Sequence, residues 1–142
     1  MTEEIRQDWL ERAKMHREAD RFIQGAWLNG LVGDYKSGCF FGCMTQKEDG
    51  VLDTAAKEMD VPLWLVHVAE RIFEGLPKDE AVEFPVQFLE AINPNRDLTE
   101  FYNQFFFQLL MDKERGQIMF LDKDSEESKA IEQVAELFRT GD

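Results

Sequence analysis

Six of the nine glycines in this 142-residue chain fall in one block between Gly25 and Gly50. Glycine costs a helix about 1 kcal/mol per position relative to alanine, so no long helix crosses that block. It reads as a loop, a short helix and a second loop. On either side the apolar residues recur at helical spacing. Ile5, Trp9, Ala13, His16, Asp20 and Ile23 predict one helix from about Thr2 to Gln24, capped by Thr2. Asp53 reads as the cap of "TAAKEM". Asp60 reads as the cap of "VPLWLVHVAERIFEG", whose first half is apolar all round and so suits a central helix. Pro85 breaks "PKDEAVEFPVQFLEAI" into two short helices near Phe84. A helix follows over "LTEFYNQFFFQLLMD", started by Asp97 or Thr99. "QIMFLD" reads as extended or a lone strand. Ser125 caps a last helix, with Gly141 beyond its end. No alternating segment is long enough for a sheet. The expected class is all-α: a single domain over residues 1–142, with about six to seven helices packed irregularly around the glycine-rich segment 25–50.

A chain of this size needs no disulfide or metal to hold a core. With twelve phenylalanines and three tryptophans, that core should be aromatic. The start, "MTEEIRQDWLERAK", is charged and has no signal-peptide pattern. The longest apolar run, residues 61–69, is interrupted by His67 and is too short to span a membrane. A soluble, cytoplasmic protein without membrane association is expected. Acids outnumber bases 29 to 16, which argues against direct binding to nucleic-acid phosphates. The excess acid is spread along the chain and mixed with Lys and Arg, as on a solvated surface. Only a stripe assembled by folding would make the chain an acidic mimic of nucleic acid that inhibits a DNA-binding protein.

Both cysteines lie in "DYKSGCFFGCMTQ". Ser37 reads as the cap of a short helix that carries Cys39 in its first turn and Cys43 one turn later on the same face. A disulfide between them is disfavoured, because the two side chains point the same way. The stretch is predicted to set both thiols against the first helix near His16, with Gly38 and Gly42 there for close approach and the phenylalanines for the core. Three readings stay open. In the first, the thiols are packed as small hydrophobes. In the second, His16, Asp20 and Cys39 form a nucleophile, base and orienting carboxylate. In the third, His16, Asp20, Cys39 and Cys43 hold zinc. His67, in the most apolar helix, reads as a buried neutral ring with a structural role.

The segments "GCFFGCMT", "RIFEGLP" and "FPVQFLEAI" resemble a group of small bacterial and phage-type hypothetical proteins, from the first helix to about Leu110. That group shows a G-C-x-x-G-C-T core followed by a histidine. Here Met44 stands between Cys43 and Thr45, and Gln46 and Lys47 come next, so the histidine is missing. The resemblance implies a shared fold and a role for the Cys39–Cys43 corner, with no activity attached. The reading that follows is a non-catalytic protein that binds a partner protein or a small ligand. Its surface would centre on residues 25–50 and the start of the first helix, and would draw on Cys39, Cys43, His16, Asp20, Trp27 and Phe40. A homodimer through Trp27 and Phe40 is also expected. The alternative is a cysteine-dependent enzyme or a metal-binding protein.

Overall fold

The computed structural model describes residues 1–99 and 101–141. The chain is all-α, with eight α-helices among the described residues and one small hairpin. It gathers into two compact units, Met1–Arg96 and Asp97–Asp142.

The first unit opens with α1 (Glu3–Glu18). Thr2 caps it as expected, its hydroxyl accepting the Ile5 amide at 3.3 Å. The helix stops six residues short of Gln24. Asp20 takes a left-handed φ of 51°, the Asp20 amide donates to the Arg17 carbonyl, and the Arg21 amide donates to the His16 carbonyl. These bonds satisfy the last carbonyls of the helix and turn the chain away. Phe22 then pairs with Gly38 in an isolated parallel bridge. The glycine block contains a hairpin that the expected loop did not include: β1 (Leu31–Val32) and β2 (Tyr35–Lys36), antiparallel with Val32 opposite Tyr35. Gly33, at φ 69°, opens the two-residue turn between them.

Next comes α2 (Phe40–Thr45), a six-residue helix in which Phe40, Phe41, Gly42, Cys43 and Met44 are all buried. Helices this short do not persist on propensity. This one is held by burial against α1, α3 (Val51–Met59) and α4 (Leu63–Gly75). The middle of the unit is therefore α2, whereas α4, expected to be central, leaves Leu63 and Ile72 exposed. Cap assignments shift with it. The α3 helix starts at Val51, with Gly50 as its cap. Asp60 ends α3 in a left-handed conformation, φ 52°, and Pro62 precedes α4. The Met1 ammonium binds the Asp60 carbonyl at 2.6 Å and its carboxylate at 3.0 Å. Two short helices, α5 (Lys78–Ala81) and α6 (Phe84–Ala91), fall on either side of the expected break, and α6 packs on α1.

The second unit pairs α7 (Phe101–Met111) with α8 (Glu126–Thr140). Glu100, part of the expected helix start, lies outside the described residues. The Phe106 and Phe138 rings stack at 5.2 Å, with Tyr102 at 5.8 Å from Phe138. Gln117–Phe120, expected as extended, forms a 3₁₀ turn. Ser125 caps α8, its hydroxyl accepting the Ser128 amide at 3.0 Å, and Gly141 ends it at φ 75°. Among the described residues, no helix is long and apolar enough to cross a membrane.

Candidate functional site

A cleft of about 500 Å³ opens between the start of the glycine block and one face of α4. The α4 side supplies His67, Glu70, Arg71 and Glu74. The opposite wall is Gly25, Ala26, Trp27 and Cys39, with Leu52 of α3 beside them. Positions 67, 70, 71 and 74 stand three and four residues apart, which puts them on one helical face. The loop that forms the other wall is bonded directly to α4. The Gln24 side-chain Nε2 donates to the Phe73 carbonyl at 2.7 Å and to the Leu76 carbonyl at 2.9 Å. The Gly25 amide donates to both carboxylate oxygens of Glu74, at 3.1 and 2.9 Å.

Two glycines let α2 reach this wall. A Cβ added at Gly38 or at Gly42 would land on the Trp27 carbonyl oxygen. The expected close approach is therefore real, and what approaches is the Trp27 backbone. The phenylalanines fill the core as expected. Phe40 is fully buried, so it presents no surface to a second copy or to a ligand, unlike Trp27, which is 44% exposed.

The cap of α2 is Cys39, and its thiol sits at the inner end of the cleft. Ser37 does not cap the helix; its hydroxyl donates to the Gly30 carbonyl at 3.1 Å. Cys39 is buried; its thiol donates to the Trp27 carbonyl at 4.0 Å, and a Glu70 carboxylate oxygen lies within 4.8 Å of its sulfur. Burial first, then the negative charge of Glu70, push the thiol far above the ordinary thiol range. Glu70 is 7% exposed. Burial raises its pKa, while the Cys39 thiol and the Phe41 amide, which donates at 3.3 Å, pull the other way.

Compared with known protein families, curated proteins and solved structures, the chain matches none.

The four residues that the sequence suggests as a ligand set do not converge. Asp20 is exposed beyond the end of α1, while His16 is buried. The His16 ring lies against Tyr35 at 5.3 Å and Phe22 at 6.0 Å, and its Nδ1 makes no hydrogen bond among the described residues. Cys43 is buried with the Lys36 carbonyl 3.9 Å from its sulfur, and burial pushes its thiol up to about 12. The two thiols thus part company: Cys39 faces α4, and Cys43 faces the hairpin. His67 is exposed on the cleft wall and is no core histidine, because the turn of α4 that carries it faces the opening. The spacing of His67, Glu70, Arg71 and Glu74 was available in the sequence. Reading the helix as buried all round hid it.

His16 carries a pH dependence. Burial, then the charges of Arg21 and Arg12, lower its pKa from 6.5 to about 4. The folded state holds the ring neutral while the unfolded chain protonates it, so stability is lost as pH falls from about 6.5 toward 4. The parent should lose about 3 kcal/mol more than His16→Gln between neutral pH and pH 4. Urea unfolding of both proteins at the two pH values measures this. An equal loss in both would assign the acid sensitivity elsewhere.

Proposed function

We propose that this protein is a non-catalytic binding module and that the cleft between Gly25–Trp27, Cys39 and α4 takes a small ligand. The observation that carries the reading is the cleft itself. Its volume of about 500 Å³ lies in the range of small-molecule sites, and it combines apolar walls with a few convergent polar groups, as such sites do. Trp27 offers a half-open indole face, Ala26 and Leu52 add apolar surface, and Glu70, Arg71, Glu74 and His67 supply charge and hydrogen bonds. A cysteine-nucleophile reading is less well supported. A nucleophilic cysteine needs a thiolate and a base within reach, whereas burial and the nearby Glu70 charge hold the Cys39 thiol protonated.

A fragment library screened by amide and indole NMR shifts tests the reading. Hits should cluster on Gly25, Trp27 and Arg71. Trp27→Ala should weaken them about tenfold, the loss of roughly 1.4 kcal/mol of aromatic contact. Hits confined to other surfaces, or hits in the cleft that ignore Trp27→Ala, would overturn it.

A further inference from the structure

The inner end of the cleft brings together three metal-ligating side chains. The Cys39 sulfur and one carboxylate oxygen each from Glu70 and Glu74 all lie within 4.8 Å of one another. Cys39 and Glu70 are buried, and Glu74 is exposed. The three arrive from two elements: Cys39 caps α2, and Glu70 and Glu74 stand one turn apart on α4. Each group is negative when ionised. Elsewhere in the first unit acids meet bases, as in Arg17–Glu83 at 3.0 Å and Lys36–Glu48 at 2.6 Å. Among the described residues, neither Glu70 nor Glu74 is in an ion pair. Their hydrogen-bond partners are neutral: the Phe41 amide for Glu70 and the Gly25 amide for Glu74. The two carboxylates raise the Cys39 thiol and Glu74 raises Glu70, so the groups repel in a partly dry place. A dication would reverse each of those repulsions.

We propose that Cys39, Glu70 and Glu74 bind a zinc ion at the inner end of the cleft, with a coordination position left open toward the cleft. The inference rests on the cleft being the ligand site, and it adds what the ligand would meet there: a zinc ion with an open coordination position able to take a water, imidazole or other donor. The donor set selects the metal. Magnesium and calcium take oxygen ligands, while a thiolate with two carboxylates suits borderline-soft zinc. Zinc bonds of about 2.3 Å to sulfur and 2.1 Å to oxygen put tetrahedral donors about 3.5 Å apart. The three donors are thus roughly an ångström from closing, within the reach of two glutamate side chains. Three protein ligands and one open position is the pattern of zinc sites that exchange ligands. Binding forms the zinc–sulfur bond and breaks the S–H bond, and the proton leaves to solvent. The carboxylates bind as anions. A thiolate and two carboxylates against a dication leave one net negative charge.

The test uses the full chain, freed of metal by chelator and titrated with cobalt(II) chloride and then zinc chloride. Cobalt should bind at one ion per chain with a sulfur-to-metal charge-transfer band, and zinc should remove the band while one proton per chain is released. Cys39→Ala should abolish the band and weaken zinc by at least about 100-fold, the upper end of what losing even an outer-shell partner costs. Glu70→Gln should keep the band but bind zinc at least about tenfold more weakly. Cys43→Ala should match the parent, and circular dichroism confirms that each variant is folded. The absence of any saturable band overturns the proposal. So does a band lost in Cys43→Ala but kept in Cys39→Ala, or zinc binding equal in parent and Cys39→Ala. Fragments that bind the cleft of a protein that takes no zinc would sink the metal alone. Failure of the metal titration together with an absence of fragment hits in the cleft would sink the cleft as well.

Discussion

Phe40→Ala should cost about 3–5 kcal/mol, the range for deleting a buried aromatic ring. Phe40 has no exposed surface. Its ring stacks on Phe41 at 4.0 Å and meets Phe88 at 5.7 Å, Phe84 at 6.2 Å, and Phe22 and Phe73 each at 6.3 Å. Those rings come from the post-α1 segment, α2, α4 and α6, so one side chain ties together most of the first unit. The cavity left by alanine cannot close without moving several helices. A domain is stable by only about 5–15 kcal/mol in total, so the variant should sit near its unfolding midpoint at low denaturant. Leu31→Ala is the comparison. Leu31 is 70% exposed, and its loss should stay within about 0.5 kcal/mol. Urea unfolding reads both. A cost for Phe40→Ala below about 1 kcal/mol would show that the cluster is not packed as described.

Gly42→Ala should destabilise by about 3 kcal/mol or more, the upper end for overpacking a core. The direction is the informative part. Gly42 lies inside a helix, where alanine is normally better by about 1 kcal/mol. Here the added methyl would collide with the carbonyl oxygen, carbonyl carbon and Cα of Trp27. Those are backbone atoms with no side chain to rotate away, so α2 and the Gly25–Trp27 wall must separate. The cleft should be lost along with the stability, and NMR hits at Gly25 and Trp27 should vanish together. Gly75→Ala is the control: a Cβ there meets nothing within 4 Å, and its effect should run from neutral to about 1 kcal/mol stabilising. A stabilised Gly42→Ala protein would mean that α2 and Trp27 are not in contact.

Local chemistry made much of the fold legible. Thr2, Ser125 and Gly141 act where the sequence puts them, because a cap is a bond between a side chain or a turn and amides a few residues away. Pro85 marks the boundary of α6 for the same local reason. The pattern misleads where a local preference has two solutions: it places Asp20 inside a helix and Asp60 at a helix start. Both are helix ends in left-handed conformation, which aspartate tolerates better than most residues. The hairpin at Leu31–Lys36 leaves no signal in the sequence, because two-residue strands carry too little alternation to stand out.

The candidate site divides along the same line. Sequence alone determined that Cys39 and Cys43 lie beside two glycines in a tightly packed corner, and that the helices around it would be amphipathic or apolar. It also held the spacing of His67, Glu70, Arg71 and Glu74, since a helical face follows from 3.6 residues per turn. Only the tertiary structure decided which face of α4 stays open, that Trp27 is the backbone accommodated by Gly38 and Gly42, and that Cys39 turns toward Glu70 while His16 is sealed among Tyr35 and Phe22. Those outcomes depend on how distant segments share a limited volume. Close packing and the positions of hydrogen-bonded backbones settle that, and no periodicity or spacing along the chain encodes it.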